Sequence, residues 1–419
     1  MKYTAIFLAL CLSLHLTPIA HSQTQSGDLE AYLLGLLDDL PGRDGNDYDI
    51  PSAGGLLEWE NLIRETQQGS LAIARSIATS LGYEVVEFQH MMSGSSELYY
   101  VLKEKAPQSK YWGTYVFYPT ACRPKIALQA PHSQFDSNTG KEAIYCFLRL
   151  SAGTLFLSGA HRCNHLSYSS CDGSTSVCDD QSSSYRISDV AHATESAFQR
   201  TTQVLAEEIP NSIFIQLHGF SKRSSDPYVI MSNGTRSTPA EDYATQLSLA
   251  LKEEDPVLTF KLAHIDQNWT RLIAFTNTQG RWLNESADAC NSSPTGTSGR
   301  FLHIEQERDR LRANQSGWDK MYRALDKTFA CEPPTNTTTI GAPLELNLYP
   351  NPVRAELTIE ADQIMRVSLH SLDGKQLWRS EYDHSAIVKL KGHPQWRGLF
   401  LVKVSTSQMT VTEKVYFYR

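Results

Sequence analysis

The sequence predicts a helix-flanked α/β sheet followed by a separate β-sandwich, and three observations lead there. Up to residue 331, short β-branched or apolar runs alternate with long amphipathic stretches, the pattern of strands joined by helices. After residue 343, short runs of apolar-polar alternation follow one another, as in strands with one buried face. Between them Glu332 to Pro343 reads EPPTNTTTIGAP, rich in Pro and Thr and nearly free of charge, which is the composition of a linker. A chain of 419 residues is long enough for two or more domains.

The elements follow in order. Lys2, the apolar run Ala5 to Leu16, Pro18 and the small-x-small pattern Ala20-His21-Ser22 make residues 1–22 a secretory signal peptide, with maturation near Gln23. Leu10 before Cys11 is too large for the usual lipoprotein cleavage site, and no later apolar run is long enough to span a bilayer as a helix. Residues 23–50 form an N-terminal segment and 51–331 the α/β domain. Helices are expected from Leu56 to Leu81, Thr139 to Leu150, Asp189 to Glu208, Pro239 to Glu253 and Glu305 to Phe329, with Asn138 and Ser237-Thr238 as cap-like starts. Residues 332–343 are the linker, and 344–419 form the sandwich, with six or seven strands expected.

Charge and cysteines bound the function. A net charge of -8, spread along the chain, argues against a phosphate-tracking surface, so nucleic acid is not an expected partner. Removing Cys11 with the signal leaves seven cysteines, of which most should pair in an oxidising compartment and one is left over. Cys163, Cys171 and Cys178 lie in a Ser-rich stretch that reads as a disulfide-pinned loop. With His161 and His165 they form a weaker rival zinc site, whose spacing fits no common finger pattern. Cys146, in an amphipathic helix, reads as buried or disulfide-bonded rather than nucleophilic.

Four candidate strands run into reactive residues. Lys125 to Ala130 leads to Pro131-His132, Thr154 to Ala160 to His161-Arg162, Ser212 to Leu217 to His218-Gly219, and Arg300 to Ile304 to Glu305. Ligands of open α/β sheets bind beyond the carboxyl ends of the strands, so these groups are expected on one rim. Two imidazoles and a carboxylate, His132, His218 and Asp136, make a common catalytic zinc set that leaves a place for water. Such a water loses its proton more easily, and Glu305 is placed to accept that proton and pass it to a leaving amine. Arg162 is expected to grip a substrate carboxylate, with Arg308 and Arg312 as weaker candidates. Each residue also has a bland reading: His132 as a backbone-bonded loop histidine, Asp136 as a turn former, Glu305 at a helix start, Arg162 in a surface pair. His192, near a helix start, reads as a packing or capping histidine outside the site. No Gly-x-Ser-x-Gly elbow, phosphate-cradling P-loop or dinucleotide fingerprint is present.

Two resemblances attach to these residues. Tyr349-Pro350-Asn351-Pro352-Val353, Leu372-Asp373-Gly374-Lys375, the run Gly398 to Val404 and a lysine in the closing strand resemble the type IX secretion sorting domain over Leu344 to Arg419. That implies export through the type IX machinery, across the periplasm and outer membrane of a Gram-negative bacterium, to the surface or the medium. From Tyr111 to Phe329 the order of motifs resembles the zinc carboxypeptidase-like superfamily, including N-acyl-amino-acid amidohydrolases. It implies a three-layer, mostly parallel sheet of the phosphorylase/hydrolase-like kind. It also implies a single zinc ion on His132, Asp136 and His218, with Glu305 catalytic, in a hydrolase of peptides or N-acyl amino acids. The carboxypeptidases carry a glutamate three residues after the first histidine. Phe135 stands there in this chain and the acid is Asp136, with Glu142 as a fallback ligand. The terminal-carboxylate pocket of the family has no counterpart, so exopeptidase activity does not follow. The rival readings are a non-catalytic surface binding or adhesion protein on the same scaffold, and a hydrolase built on His161 and His165.

Overall fold

The computed structural model describes residues 24–92, 95–331, 346–371, 375–406 and 410–418. The signal peptide, the linker and most of the Leu372–Lys375 motif lie outside the described residues.

The first ten strands are β1 (Thr24–Gly27), β2 (Tyr83–Met92), β3 (Ser95–Glu104), β4 (Thr114–Phe117), β5 (Arg123–Ala130), β6 (Ala152–Leu157), β7 (Ile213–Phe220), β8 (Val229–Ser232), β9 (Phe260–Leu262) and β10 (Phe301–Glu307). They form one sheet in the order β1-β2-β3-β4-β6-β5-β7-β10-β8-β9. Its centre, β6-β5-β7-β10, is parallel throughout, and antiparallel pairings flank it. The helices are α1 (Leu29–Asp38), α2 (Ala53–Gln67), α3 (Leu71–Ser80), α4 (Thr139–Leu150), α5 (Ala197–Glu208), α6 (Tyr243–Glu254), α7 (Thr278–Leu283) and α8 (Gln315–Thr328).

Side-chain alternation along the central strands makes three layers. Leu128, Ile215, Leu217, Leu302 and Ile304 pack against Leu33 of α1, Phe147 of α4, Leu247 of α6 and Leu325 of α8. The intervening residues Ala127, Phe156, Phe214 and Phe301 pack on the other face against Trp59 of α2, Ile77 of α3 and Phe198 of α5. Residues 24–50 belong to this body, because β1 pairs with β2 and α1 lies in the first core.

Several boundaries differ from expectation for local reasons. The stretch Leu56 to Leu81 is two helices, α2 and α3, parted at Gly69, whose φ of 72° a side chain would disfavour. Only α5 and the short turn Val190–His192 come from Asp189 to Glu208. Glu305 is not at a helix start: His303, Glu305 and Glu307 extend β10, and α8 begins only at Gln315. Asn138 precedes α4 without capping it. Its φ is 68°, and its Nδ2 donates instead to the carbonyls of Arg312 and Ala313.

The C-terminal module has five described strands, β11 (Asn347–Tyr349), β12 (Glu356–His370), β13 (Gln376–Lys391), β14 (Gly398–Thr406) and β15 (Thr410–Phe417), all antiparallel. Fewer strands appear than expected because Glu356 to Glu360 and Met365 to His370 are one strand, broken in register between Glu360 and Ile364. Such a bulge lets a single strand serve two sides of one core. That core holds Val353, Leu357, Val367, Leu390, Phe400, Val404 and Phe417. Lys403 of β14 is buried and pairs with Glu65 of α2.

Six cysteines pair as Cys122–Cys331, Cys163–Cys178 and Cys171–Cys290, and Cys146 is free and buried. Burial pushes the Cys146 thiol well above its usual range, so it is a poor nucleophile.

Candidate metal centre

The site forms where the central parallel strands end. After β5 the chain turns sharply, with the Asp136 N–H donating to the His132 carbonyl (3.1 Å) and the Thr139 hydroxyl to the same oxygen (3.1 Å). This turn brings residues four apart to one side, which accommodates the acid at Asp136. Phe135, one position earlier, points away to pack edge-on against His161 (centroids 4.7 Å). Arg312 clamps the turn by donating to the carbonyls of Asp136 and Ser137. It can come so close because Gly219 has no side chain: a Cβ there would meet the guanidinium carbon at 2.0 Å. Arg312 is thus structural rather than substrate-facing.

On β7 and β10 the parallel register sets Glu305 beside His218 and His303 beside Gln216, all on one face. His132 Nδ1 lies 3.0 Å from Asp136 Oδ2, His218 Nδ1 lies 3.2 Å from His132 Nδ1, and His218 Nδ1 lies 3.4 Å from Asp136 Oδ2. All three residues are buried. The tautomers follow from the outer nitrogens. His132 Nε2 is 2.8 Å from Asp189 Oδ1 and His218 Nε2 is 3.2 Å from Gln216 Oε1. Oxygens that only accept require both Nε2 atoms to donate, so in the neutral rings both Nδ1 lone pairs face the same point. Two lone pairs and a carboxylate oxygen at such distances repel unless a cation lies between them. Their spacing fits the edge of about 3.3 Å expected for a tetrahedral ion with bonds of roughly 2.0–2.1 Å. These residues therefore fit a metal ion, and the group His132, Asp136 and His218 has the makings of a metal site.

The electrostatics show that a proton on His132 competes with a metal ion for these donors. Burial opposes ionisation of Asp136, but His132, His218 and Arg162 around it hold its carboxyl well below the usual range. Burial and Arg162 oppose a proton on His132, yet Asp189 and Asp136 on its two sides prevail and raise its pKa. Burial lowers His218 to about 4. Burial, then the charge of Asp136, pushes Glu305 up to about 8. Its Oε2 is buried without a hydrogen-bond partner, as is His303 Nδ1. His303, His218 and Glu305 form a second group of facing donors that shares His218.

Two residues that sequence reasoning missed support the first group. Asp189 joins His132 to Arg162, and a carboxylate behind a ligating histidine is the usual orienting partner. Its position three residues before His192, in a polar stretch, carried no periodic signal. Gln216 receives the His218 N–H and is itself fixed by Gln129 (2.9 Å), Gln279 (3.0 Å) and Asn277 (2.8 Å). Its place two residues before His218 on the strand was the available clue. His192 lines the cavity but is stacked on Tyr185 and bonded to the Thr276 carbonyl (2.9 Å).

Arg162 and Arg308 are the arginines expected to bind substrate. Arg162 Nε and Nη2 both donate to Asp189 Oδ2 (2.9 and 2.6 Å), and Nη1 faces His132 Nδ1 (3.3 Å). The Nε/Nη2 edge that would grip a substrate carboxylate in a bidentate pair is thus engaged by Asp189, while Arg162 lines the cavity. Arg308 is exposed in the turn after β10 and does not line the cavity. Glu142, the fallback ligand, lies on the opposite face of the sheet, where its Oε2 accepts from Gln306 Nε2 (2.8 Å). Among the described residues, His161 and His165 belong to no metal-capable group, and the loop cysteines are in disulfides.

Glu142 offers a separate test. Burial raises its pKa to about 8, and its Oε1 and Gln306 Oε1 are both unpartnered. A carboxyl whose folded pKa is raised is most compatible with folding below its ordinary value, and stability falls as pH rises from there toward 8. Glu142→Gln removes that penalty and supplies a donor for Gln306 Oε1. Thermal unfolding should be little changed near pH 4.5 and should favour the variant by ~1–3 kcal/mol above pH 8. An equal shift at both pH values would refute this account.

Comparison with known proteins bears mainly on the C-terminal module. Residues 347–417 match the family model for the secretion system C-terminal sorting domain. This module is a type IX sorting domain. It marks the chain for secretion or the cell surface through that machinery. Among the described residues no helix is long and apolar enough to cross a membrane. No curated protein matches the chain. Among solved structures, N-formylglutamate amidohydrolase from Ralstonia eutropha JMP134 aligns at 10% identity and a TM-score of 0.32, covering 52% of this chain and 94% of that one. A carboxypeptidase A candidate from Shewanella denitrificans OS-217 aligns at 10% and 0.28, covering 61% and 66%. A metallopeptidase candidate from Shewanella amazonensis SB2B aligns at 11% and 0.26, covering 64% and 92%. Overlap this low carries no argument about activity.

Proposed function

We propose that this chain is an exported zinc-dependent hydrolase of amide or peptide bonds, acting on peptides or N-acyl amino acids. The observation that carries the proposal is the convergence of His132 Nδ1, His218 Nδ1 and Asp136 Oδ2 within 3.0–3.4 Å of one another. Soft-to-borderline nitrogen donors with one carboxylate, open on one side, favour zinc over the hard cations, which prefer all-oxygen sites. A zinc ion there supplies Lewis acidity, polarising an amide carbonyl and easing loss of a proton from water.

The protein's own groups do the rest. Asp189 and Gln216 hold the two rings in the tautomers that ligate. Glu305 accepts the proton of the attacking water, and the same proton goes to the amine nitrogen as the C–N bond breaks and a carboxylic acid and amine are released. We further propose residues 1–22 as the signal peptide, 51–331 with the preceding segment as the hydrolase, 332–343 as the linker and 344–419 as the sorting module.

A second reading rests on Arg162. Its Nη1 lies 3.3 Å from His132 Nδ1 and 3.8 Å from Asp136 Oδ1, so the chain brings a cation of its own to the donors. This favours a non-catalytic binding or adhesion protein in which Arg162 replaces the metal. Elemental analysis of the folded, disulfide-bonded protein separates the two. The hydrolase reading expects about one zinc per chain, lost in His218→Ala while the circular dichroism is unchanged. A folded protein that neither carries nor takes up zinc leaves the second reading standing.

A further inference from the structure

The cavity in front of the donor cluster has a volume of about 440 Å³, within the range of small-ligand sites. Its walls come from two segments. One is the disulfide-pinned loop, contributing Val177 and Tyr185. The other is the stretch 270–277, contributing Leu272, Ile273 and Phe275. These side chains are half-buried, so apolar surface faces the cavity without being covered by the protein itself.

The second wall is held in an unfavourable backbone. Leu272 and Ala274 have φ of 57° and 58°, a region that costs non-glycine residues on the order of 1 kcal/mol or more each. The wall is nevertheless anchored at every turn. Arg271 pairs with Asp226 (2.9 Å), Arg236 lies over the Phe275 ring (5.0 Å), Arg281 Nε donates to the Phe275 carbonyl (2.7 Å), and the Thr276 carbonyl is bonded to His192. Residues kept in such a conformation by surrounding bonds are a recurrent feature of ligand clamps.

The cavity lacks an anchor for a negative charge. Among the described residues lining it, apart from histidines, the charged groups are Arg162 and Glu305. Arg162 already neutralises Asp189, and parting a buried ion pair leaves an uncompensated charge. Resting on the amide-hydrolase reading above, we infer that the cavity takes an uncharged polypeptide segment with an apolar or aromatic side chain beside the scissile bond, and does not recognise a free terminal carboxylate. The chain then cleaves internal or end-blocked amides rather than trimming C-terminal residues.

The test is binding to the full, zinc-loaded chain carrying Glu305→Gln, measured by calorimetry with benzoyl-glycyl-phenylalaninamide, its free acid, and benzoyl-glycyl-glycinamide. The phenylalaninamide should bind at least as tightly as the acid. It should bind roughly tenfold or more tightly than the glycinamide, for which no ring fills the apolar walls. Adding Asp189→Asn frees the Arg162 fork, and the acid should then gain roughly tenfold or more relative to the amide, a gain that misfolding cannot produce. An acid that already binds tenfold more tightly, no binding of either phenylalanine ligand, or an unchanged ratio after Asp189→Asn overturns the inference. Hydrolysis by the unsubstituted chain is scored separately. Phenylalaninamide that binds with the expected preference but is never cleaved sinks the hydrolase reading and leaves the cavity's preference intact.

Discussion

Glu305→Gln is expected to lower kcat by roughly 10²–10⁴-fold while leaving zinc content and KM close to those of the unsubstituted chain. The amide keeps the volume and the place on β10 beside His218, but it cannot accept a proton from water or return one to the amine. Because Glu305 Oε2 has no protein partner, the substitution breaks no hydrogen bond at that atom, and the fold should tolerate it. The pH profile gives an independent readout. Burial and Asp136 hold the proton on Glu305 up to about pH 8 without a cation nearby, and the base is active only once that proton is lost. A divalent ion beside it favours the anion, so the acid limb of kcat/KM should lie below 8 in the zinc-loaded protein and vanish in the variant. A variant that keeps full activity would remove Glu305 from the chemistry and leave His303, its neighbour in the second donor group, as the next residue to replace.

The largest effect on stability is expected at Cys122–Cys331. This disulfide joins residues 209 apart in sequence, the start of β5 and the end of the α/β body just before the linker. Cross-linking residues that far apart restricts the unfolded chain most, and its loss should cost about 2–5 kcal/mol. The neighbourhood adds to this, because Arg123 donates to the carbonyls of Phe329 (2.6 Å) and Leu150 and pairs with Asp326 (2.6 Å). Replacing both cysteines by serine should therefore lower the unfolding midpoint strongly and loosen the C-terminal end of α8 to hydrogen exchange. The metal donors sit at the opposite ends of the strands, so zinc content in the folded fraction should be preserved. Loss of zinc with little loss of stability would reverse this division of labour.

Much of the molecule was legible in the chain itself. The change from helix-strand alternation to pure strand alternation announced two kinds of structure, and the compact sorting motifs marked the second by residue type alone. The apolar runs ending in His132, Arg162, His218 and Glu305 were readable because central parallel strands are buried on both faces and must end in a polar residue where the sheet meets solvent. The edge strands, the second core and the partners of these residues were not. Whether His218 Nδ1 meets His132 Nδ1 depends on the register of β5 against β7 and on the turn that turns Asp136 inward past Phe135. Asp189 and Gln216 act through contacts with residues 57 and 2 positions away, and only folding reveals that both serve the same pair of rings. Arg162 is the sharpest case. Its residue type promised a carboxylate grip, but a guanidinium binds whichever carboxylate the fold brings first, and the tertiary structure brings Asp189.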